Sequence, residues 1–187
     1  MNILVVSHDY SSYRFRPDST LTRNQEIYYL PDFVESVSFS PILHFRCSSP
    51  GKSVEERFAH RYVDSFGYGI LLYPELSGRI TENREFISSA LDFTSIIPLG
   101  THPISDYGSF PSFKPARVTV NGHLVAENPP HPSYDRIREM ISGITRYVST
   151  RTGDFISYEL LPPMPAEKGK KIDLWVGETL STSVLIL

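Results

Sequence analysis

The sequence has little of several features that mark specialised classes of protein. It contains a single cysteine, Cys47, so it can form neither an internal disulfide nor a zinc cluster built on cysteines. Its net charge of −3 disfavours a nucleic-acid-binding surface. No apolar run reaches the roughly 18 residues of a membrane span, and the apolar run at residues 3–6 is too short for a signal peptide. We therefore expect a cytoplasmic protein without nucleic-acid or membrane partners.

The remaining composition is that of an ordinary globular domain. With 187 residues, of which 40% are hydrophobic, the chain is the size of one domain, and we expect a single domain over 1–187. Its 15 prolines and 11 glycines break the sequence into short pieces rich in β-branched and aromatic residues. Such pieces favour strands, so strands should outnumber helices.

Several of these pieces have the pattern of a specific element. The clearest is a hairpin in which Asn121-Gly122 supplies the positive φ angles of a type I′ turn. Buried strands are predicted for Asn2–Val6, Gln25–Leu30 and Ser38–Cys47. In the last of these, Pro41 suggests a sheet edge or a bulge.

Two segments have the pattern of amphipathic helices. In residues 53–64, Ser53 and Glu56 have the spacing of a capping box at a helix start. A second helix, ending before Gly153, carries an apolar stripe formed by Ile137, Met140, Ile141, Ile144, Tyr147 and Val148. The aromatic segment Asp106–Phe113 is expected to cover a sheet edge or a dimer contact.

The order of these pieces resembles the short, single-domain members of the fumarylacetoacetate hydrolase family. The segments that carry the resemblance are "FRPDSTLTRNQEIYYLPDF", "GKSVEERFAHRYVDSFGYGI", "IIPLG", "VTVNGHLVAEN", "MISGITRYVS" and "TGDFI". The resemblance implies an α+β fold, a mixed β-roll of curved sheets with a few peripheral helices, and a homodimer. It also implies a hydrolase, isomerase or decarboxylase acting on 2-keto or β-diketone acids.

The metal site implied by the resemblance lacks its ligands in this sequence. Members of the family hold Mg²⁺ or Mn²⁺ through two glutamates one residue apart on a strand and an aspartate on the next strand. Alternate residues of a strand face the same side, so such a pair can bind one ion. Here these positions fall on Ser40, Ile42 and Leu71. We therefore expect no metal cofactor, and a pocket whose floor, lined by these three residues, is apolar.

Other catalytic parts implied by the resemblance are also replaced. Glu75 and Leu76 stand where the family has an arginine and an acid. No lysine lies between Lys52 and Lys114, so the family's central lysine is absent. Bulky residues at Tyr158–Pro162 replace a glycine-rich loop that lets the backbone approach the substrate.

The helical lid of the family, with its catalytic histidine, should lie between the first strand and the "FRP" segment. Here only "SHDYSSYRF" crosses that interval, so we expect the N-terminal lid segment to be shortened. Tyr10 and Asp9 match polar residues of the family after its first strand, with His8 in place of an arginine. His8 and Tyr10 are therefore candidate catalytic residues.

His44 is the third candidate, because it alternates with Ser40 and Ile42 and should face the same pocket. One imidazole is too few ligands for a metal site. Two functions remain open: a catalytically degenerate protein with a binding or structural role, whose small-molecule ligand is unknown, and an active hydrolase, isomerase or decarboxylase with a rebuilt site. A third reading, a partner-binding module, predicts a large exposed apolar patch.

Overall fold

The structure, a computed structural model, describes residues 1–23, 26–99, 101–104 and 113–187. Two α-helices occur in these ranges, α1 (Arg84–Ala90) and α2 (Tyr134–Tyr147). The strands of the same ranges are β1 (Ile3–Val6), β2 (Tyr13–Arg16), β3 (Leu21–Thr22), β4 (Ile27–Tyr28), β5 (Val34–Cys47), β6 (Val63–Leu76), β7 (Ser95–Ile96), β8 (His102–Pro103), β9 (Ala116–Val120), β10 (His123–Glu127), β11 (Phe155–Glu159), β12 (Met164–Ala166), β13 (Lys171–Val176) and β14 (Thr179–Ile186).

These strands form two mixed sheets within the described residues. The larger sheet has the order β2-β1-β11-β5-β6-β7-β3, with β12 also paired to β5 and β8 to β6. The smaller sheet has the order β10-β9-β13-β14-β4. Both sheets and α2 contribute side chains to one large hydrophobic core. This arrangement confirms the predicted α+β class.

The long antiparallel pair β5 and β6 is the centre of the larger sheet. Each strand has 14 residues, and most of their side chains are buried on both faces of the sheet. The first part of β5, residues 37–39, pairs with β12, and the later part, residues 42–46, pairs with β11. Pro41 lies between these two partners, where no neighbouring strand requires its missing N–H. The proline therefore marks the junction of two partner strands, and the ladder from β5 to β6 continues past it.

The predicted hairpin is confirmed. β9 and β10 pair around Asn121 and Gly122, whose φ angles are 50° and 78°. The predicted strand at Asn2–Val6 is observed as β1, and the strand at Ser38–Cys47 as the greater part of β5.

The two predicted helices have different outcomes. Residues Glu56–Tyr62 form a 3₁₀ helix, and Ser53 has a φ of 50°, whereas an N-cap residue has extended backbone angles. The predicted capping box at Ser53 is therefore wrong. The second helix is α2, which Ser133 caps through its side chain. Its predicted apolar stripe is buried except at the end, where Tyr147 is 73% exposed.

Some predicted features lie partly outside the described residues. The strand predicted at Gln25–Leu30 is described from Glu26 onward, where Ile27–Tyr28 form β4. Of the aromatic segment Asp106–Phe113, Phe113 alone is described. In the described part of the chain, no helix has the length and apolar character needed to cross a membrane.

Candidate functional site

Strand register brings together, on one face of the larger sheet, the three positions that the resemblance assigns to the family metal site. Ser40 pairs with Leu71 across β5 and β6, and Ile42 lies two residues further along β5 on the same face. Directly opposite Ile42, on β11, lies Glu159. The residues identified from the sequence are therefore neighbours in space.

All three positions are buried in apolar surroundings. Ser40, Ile42 and Leu71 are each 0% exposed. The Ser40 hydroxyl donates a hydrogen bond to the backbone oxygen of Leu161 at 2.7 Å. The other two side chains belong to a hydrophobic group, here called the aliphatic cluster, that consists of Ile3, Val5, Ile42, Leu71, Ile97 and Phe155.

Backbone from β7 approaches closely beside the aliphatic cluster. Gly69 lies opposite Ile42, and a Cβ atom there would stand 2.5 Å from the backbone oxygen of Ile96. Because glycine has no side chain, the Ile96 backbone can lie against β6 at this point. Protein atoms therefore occupy the space next to Ile42.

The donor set at these positions does not fit Mg²⁺ or Mn²⁺. Both ions require several oxygen ligands, and the side chains of Ile42 and Leu71 offer none. Ser40 offers one neutral hydroxyl oxygen, which is one ligand at most. Elsewhere in the described ranges, no group of three His, Cys, Asp or Glu residues could hold a metal ion.

His44 lies at the margin of the aliphatic cluster. It is fully buried, packs edge-on against the Phe155 ring, and is the cross-strand neighbour of Ser157. Neither ring nitrogen of His44 nor the Ser157 hydroxyl has a hydrogen-bond partner among the described residues. Burial lowers the pKa of His44 to about 3, so the imidazole is neutral at physiological pH.

Glu159 is a buried carboxylate of this face that is not among the candidates identified from the sequence. It is 1% exposed, and its carboxylate accepts hydrogen bonds from Arg14 Nη1 at 2.7 Å and from the Tyr73 hydroxyl. The His8 backbone N–H also points to this carboxylate, at 3.4 Å. Alternation along β11 could have revealed it, because Phe155 and Glu159 share a face of that strand. In the sequence, Glu159 stands out only as part of the bulky segment Tyr158–Pro162.

Two arginines enclose the Tyr73 ring beside this carboxylate. The guanidinium carbons of Arg16 and Arg14 lie 4.6 Å and 5.4 Å from the ring centre. Burial raises the pKa of Tyr73, so its hydroxyl stays protonated, and burial lowers the pKa of Arg16. Arg14, Arg16, Tyr73 and Glu159 are here called the arginine-tyrosine cluster.

An open groove of about 540 Å³ reaches the arginine-tyrosine cluster. One wall is the edge strand β2 together with Tyr73, and the other is α1. Its lining residues are Tyr13, Arg14, Phe15, Arg16, Tyr73, Glu85, Phe86, Ser88 and Ser89.

The three histidine and tyrosine candidates do not form one site. His8 is half-buried, and its Nδ1 atom lies 3.9 Å from the Glu159 carboxylate. Tyr10 instead stacks on Tyr158, with ring centres 4.9 Å apart, and burial raises its pKa. Tyr158 and Glu159 are successive residues of β11 and so lie on opposite faces of the sheet. Of the three candidates, His8 is the one in contact with the arginine-tyrosine cluster, while His44 borders the aliphatic cluster.

The segment between β1 and β2 is a short turn. The Ser7 N–H donates to the Ser12 backbone oxygen, so the chain reverses within residues 7–12. Asp9 accepts hydrogen bonds from the hydroxyls of Ser7 and Ser11, which lower its pKa. The turn places His8, and no helical lid, between the two strands.

Comparison with known proteins identifies the architecture. No protein-family model and no curated protein matches the sequence. Solved structures do match over the whole chain. A protein from Yersinia pestis CO92 assigned to the fumarylacetoacetate hydrolase family has a TM-score of 0.74 at 18% identity, covering 100% of this chain and 92% of that one. The chain has the fold of that family.

Two enzymes of known structure also match this chain in fold. A 5-carboxymethyl-2-hydroxymuconate delta-isomerase from Mycobacterium smegmatis matches with a TM-score of 0.72 at 14% identity, over 100% of this chain and 78% of that one. A maleylpyruvate hydrolase from Sphingobium sp. SYK-6, solved with manganese(II) and pyruvate, matches with a TM-score of 0.72 at 15% identity. The match covers 100% of this chain and 70% of that one. The predicted fumarylacetoacetate hydrolase fold is confirmed.

Proposed function

We propose that this chain is a member of the fumarylacetoacetate hydrolase family that has lost metal-dependent catalysis and uses the retained scaffold to bind a small molecule. One observation carries the proposal: the family metal positions are Ser40, Ile42 and Leu71, and two of them pack in the buried aliphatic cluster. The predicted homodimer and cytoplasmic location belong to the same proposal and remain predictions.

The size of the electrostatic loss supports this proposal. A divalent cation and an adjacent carboxylate attract each other by several kcal/mol even at an effective dielectric constant of about 20. Each loss of about 1.4 kcal/mol weakens binding tenfold. Three absent carboxylates therefore remove the affinity for Mn²⁺ at these positions. Glu159 does not replace them, because Arg14 and Tyr73 already bind its carboxylate.

A second candidate function is a rebuilt enzyme that acts on 2-keto or β-diketone acids without a metal. The observation that favours it is the contact of Glu159 with Tyr73, Arg14 and His8 next to an open groove. A carboxylate and a phenol can transfer protons, and a guanidinium can stabilise an oxyanion. In this alternative, Glu159 would be the group that moves the proton.

One set of assays separates the two functions. Calorimetric titration with Mn²⁺ and Mg²⁺ should give no binding, and neither oxaloacetate nor an acylpyruvate should be turned over by the wild type. Micromolar metal binding or metal-dependent turnover would overturn the proposal. Turnover in the presence of a chelator that disappears in Glu159→Gln would establish the rebuilt enzyme instead, whereas turnover that survives this substitution would contradict both candidates.

A further inference from the structure

The arginine-tyrosine cluster carries more positive than negative charge. Arg14 is paired with Glu159, and Tyr73 is neutral because burial raises its pKa. Arg16 is 2% exposed and donates to the backbone oxygens of Leu72 and Thr94 at 2.9 Å and 3.1 Å. These acceptors are uncharged.

The other described partners of Arg16 are also neutral. They are the hydroxyls of Thr94 and Ser95, at 3.1 Å and 3.4 Å from Nη1. Two guanidinium cations thus share a single carboxylate, Glu159, and the cluster keeps one unit of positive charge beneath the groove. A buried cation that lacks a counter-ion of its own is unfavourable, and an anion bound nearby would offset this cost.

The groove provides both a place and donors for such an anion. Arg14 has 43% of its side chain exposed, and its structural contact with Glu159 uses Nη1. The remaining N–H groups of its guanidinium can therefore bind a carboxylate in the groove. Phe86, which lines the groove from α1, is 71% exposed. An exposed aromatic ring suits a flat apolar body.

Glu85 limits the charge of the ligand. It projects from α1 into the same lining as an exposed carboxylate. A ligand with one negative charge can sit against Arg14, but a second negative charge on the side of α1 would meet Glu85. The position of Glu85 therefore selects a monoanion over a dianion.

We propose that this groove binds a small organic monoanion, a carboxylate carried on a flat apolar body, with the carboxylate against Arg14 and the body against Phe86. The proposal rests on the binding role proposed above and names its ligand class. It requires neither a metal nor a keto group. Arg16 acts from beneath, through its charge and its stacking on Tyr73, and does not need to touch the ligand.

Benzoate and its neutral analogue benzamide test the proposal by calorimetry in a buffer that contains a chelator. The wild type should bind benzoate, and binding of benzamide should be at least about tenfold weaker, because a charged hydrogen bond contributes about 1.5–3 kcal/mol. Equal binding of the two probes, or no binding of benzoate, would overturn the monoanion proposal.

Two substitutions locate the bound probe. Arg14→Gln should weaken benzoate binding at least about tenfold, and Arg151→Gln, at an exposed arginine far along the chain, should leave it unchanged. Because Arg14→Gln also unpairs Glu159, Glu85→Gln provides a variant at an exposed position, and it should tighten benzoate binding about threefold. If neither Arg14→Gln nor Glu85→Gln changes the affinity, the groove is not the site.

The outcomes also separate this inference from the proposed function. Manganese binding or metal-dependent turnover would contradict the proposed function whatever benzoate does. Failure of benzoate to bind, with no metal binding and no turnover, would contradict the monoanion inference alone.

Discussion

The aliphatic cluster and the arginine-tyrosine cluster lie side by side on one face of the larger sheet, yet their chemistry is opposite. The first has no ionisable side chain among its members, and the second has two cations and one anion. They meet where Ile42 faces Glu159 across β5 and β11. The Glu159 carboxylate thus lies one strand away from Ile42, a position that the resemblance assigns to the family metal site, and Arg14 neutralises it.

The proposed loss of the metal centre has to be compatible with a stable fold. Removing carboxylates from a buried site leaves space and unpaired charges, both of which destabilise a fold. Here Ile42 and Leu71 pack in the aliphatic cluster, and Gly69 admits the backbone of Ile96. The neighbouring Glu159 carboxylate is paired with Arg14. The fold is therefore compatible with a packed hydrophobic cluster at Ile42 and Leu71.

The largest expected effect is that of returning a family ligand to the aliphatic cluster. Ile42→Glu would bury a carboxylate among hydrocarbons and directly opposite Glu159, so both desolvation and like-charge repulsion oppose it. We expect the free energy of unfolding to fall by about 4 kcal/mol or more, measured by urea denaturation.

Ile42→Met is the matched control for this substitution. It keeps the side chain apolar and of similar volume, so it should cost less than about 1.5 kcal/mol. A glutamate variant as stable as the methionine variant would mean that this face opens to water, and it would contradict the description of the aliphatic cluster as a sealed core.

A smaller effect is expected in the arginine-tyrosine cluster. Glu159→Gln removes the counter-charge of Arg14. The amide can offer its carbonyl oxygen to Arg14 and Tyr73, but its NH2 group then faces the His8 N–H. Breaking a fully buried ion pair costs about 3–5 kcal/mol, but Arg14 is 43% exposed and can turn to water, so we expect about 2 kcal/mol in the same denaturation assay.

Glu75→Gln serves as the control, because its carboxylate makes an exposed contact with the Ser36 hydroxyl. This substitution should change stability by less than about 0.5 kcal/mol. If both variants were equally stable, the buried ion pair would contribute nothing and the charge argument for the groove would lose its basis.

Sequence reasoning could predict two members of the aliphatic cluster, Ile42 and Leu71, but not the arginine-tyrosine cluster. The positions Ser40, Ile42 and Leu71 follow from the resemblance to the family, and strand alternation places Ser40 and Ile42 on one face of β5. The contact between Arg14 and Glu159 joins residues 145 positions apart. It depends on β1 lying parallel to β11 with β2 beyond it, a pairing that no local pattern specifies.

The errors in local structure have similar causes. The spacing of Ser53 and Glu56 satisfies a capping box, but Ser53 adopts a left-handed conformation, its N–H donates to the Thr145 oxygen, and a 3₁₀ helix follows. Tyr147 has the helical spacing of a core residue, yet it lies at the end of α2 beyond the core, against Tyr13 of the edge strand. In both places contacts with distant residues, and not the local spacing, determine the local structure.

The smallest effect we expect is a pH dependence that arises beside the aliphatic cluster. His44 has a pKa of about 3 in the folded protein against 6.5 for an ordinary histidine, because burial disfavours its charged form and Arg23 adds to the effect. The unfolded chain therefore binds a proton below pH 6.5 that the folded chain does not, and stability falls as pH falls through this range.

Between pH 7 and pH 5.5, this linkage should lower the free energy of unfolding by about 1 kcal/mol. His44→Leu cannot bind the proton, so its stability should decline less over the same interval in urea denaturation at matched pH values. His123→Leu, at an exposed histidine, should retain the slope of the wild type. Identical slopes for all three proteins would show that His44 can be protonated in the folded state, which would contradict its full burial against the Phe155 ring.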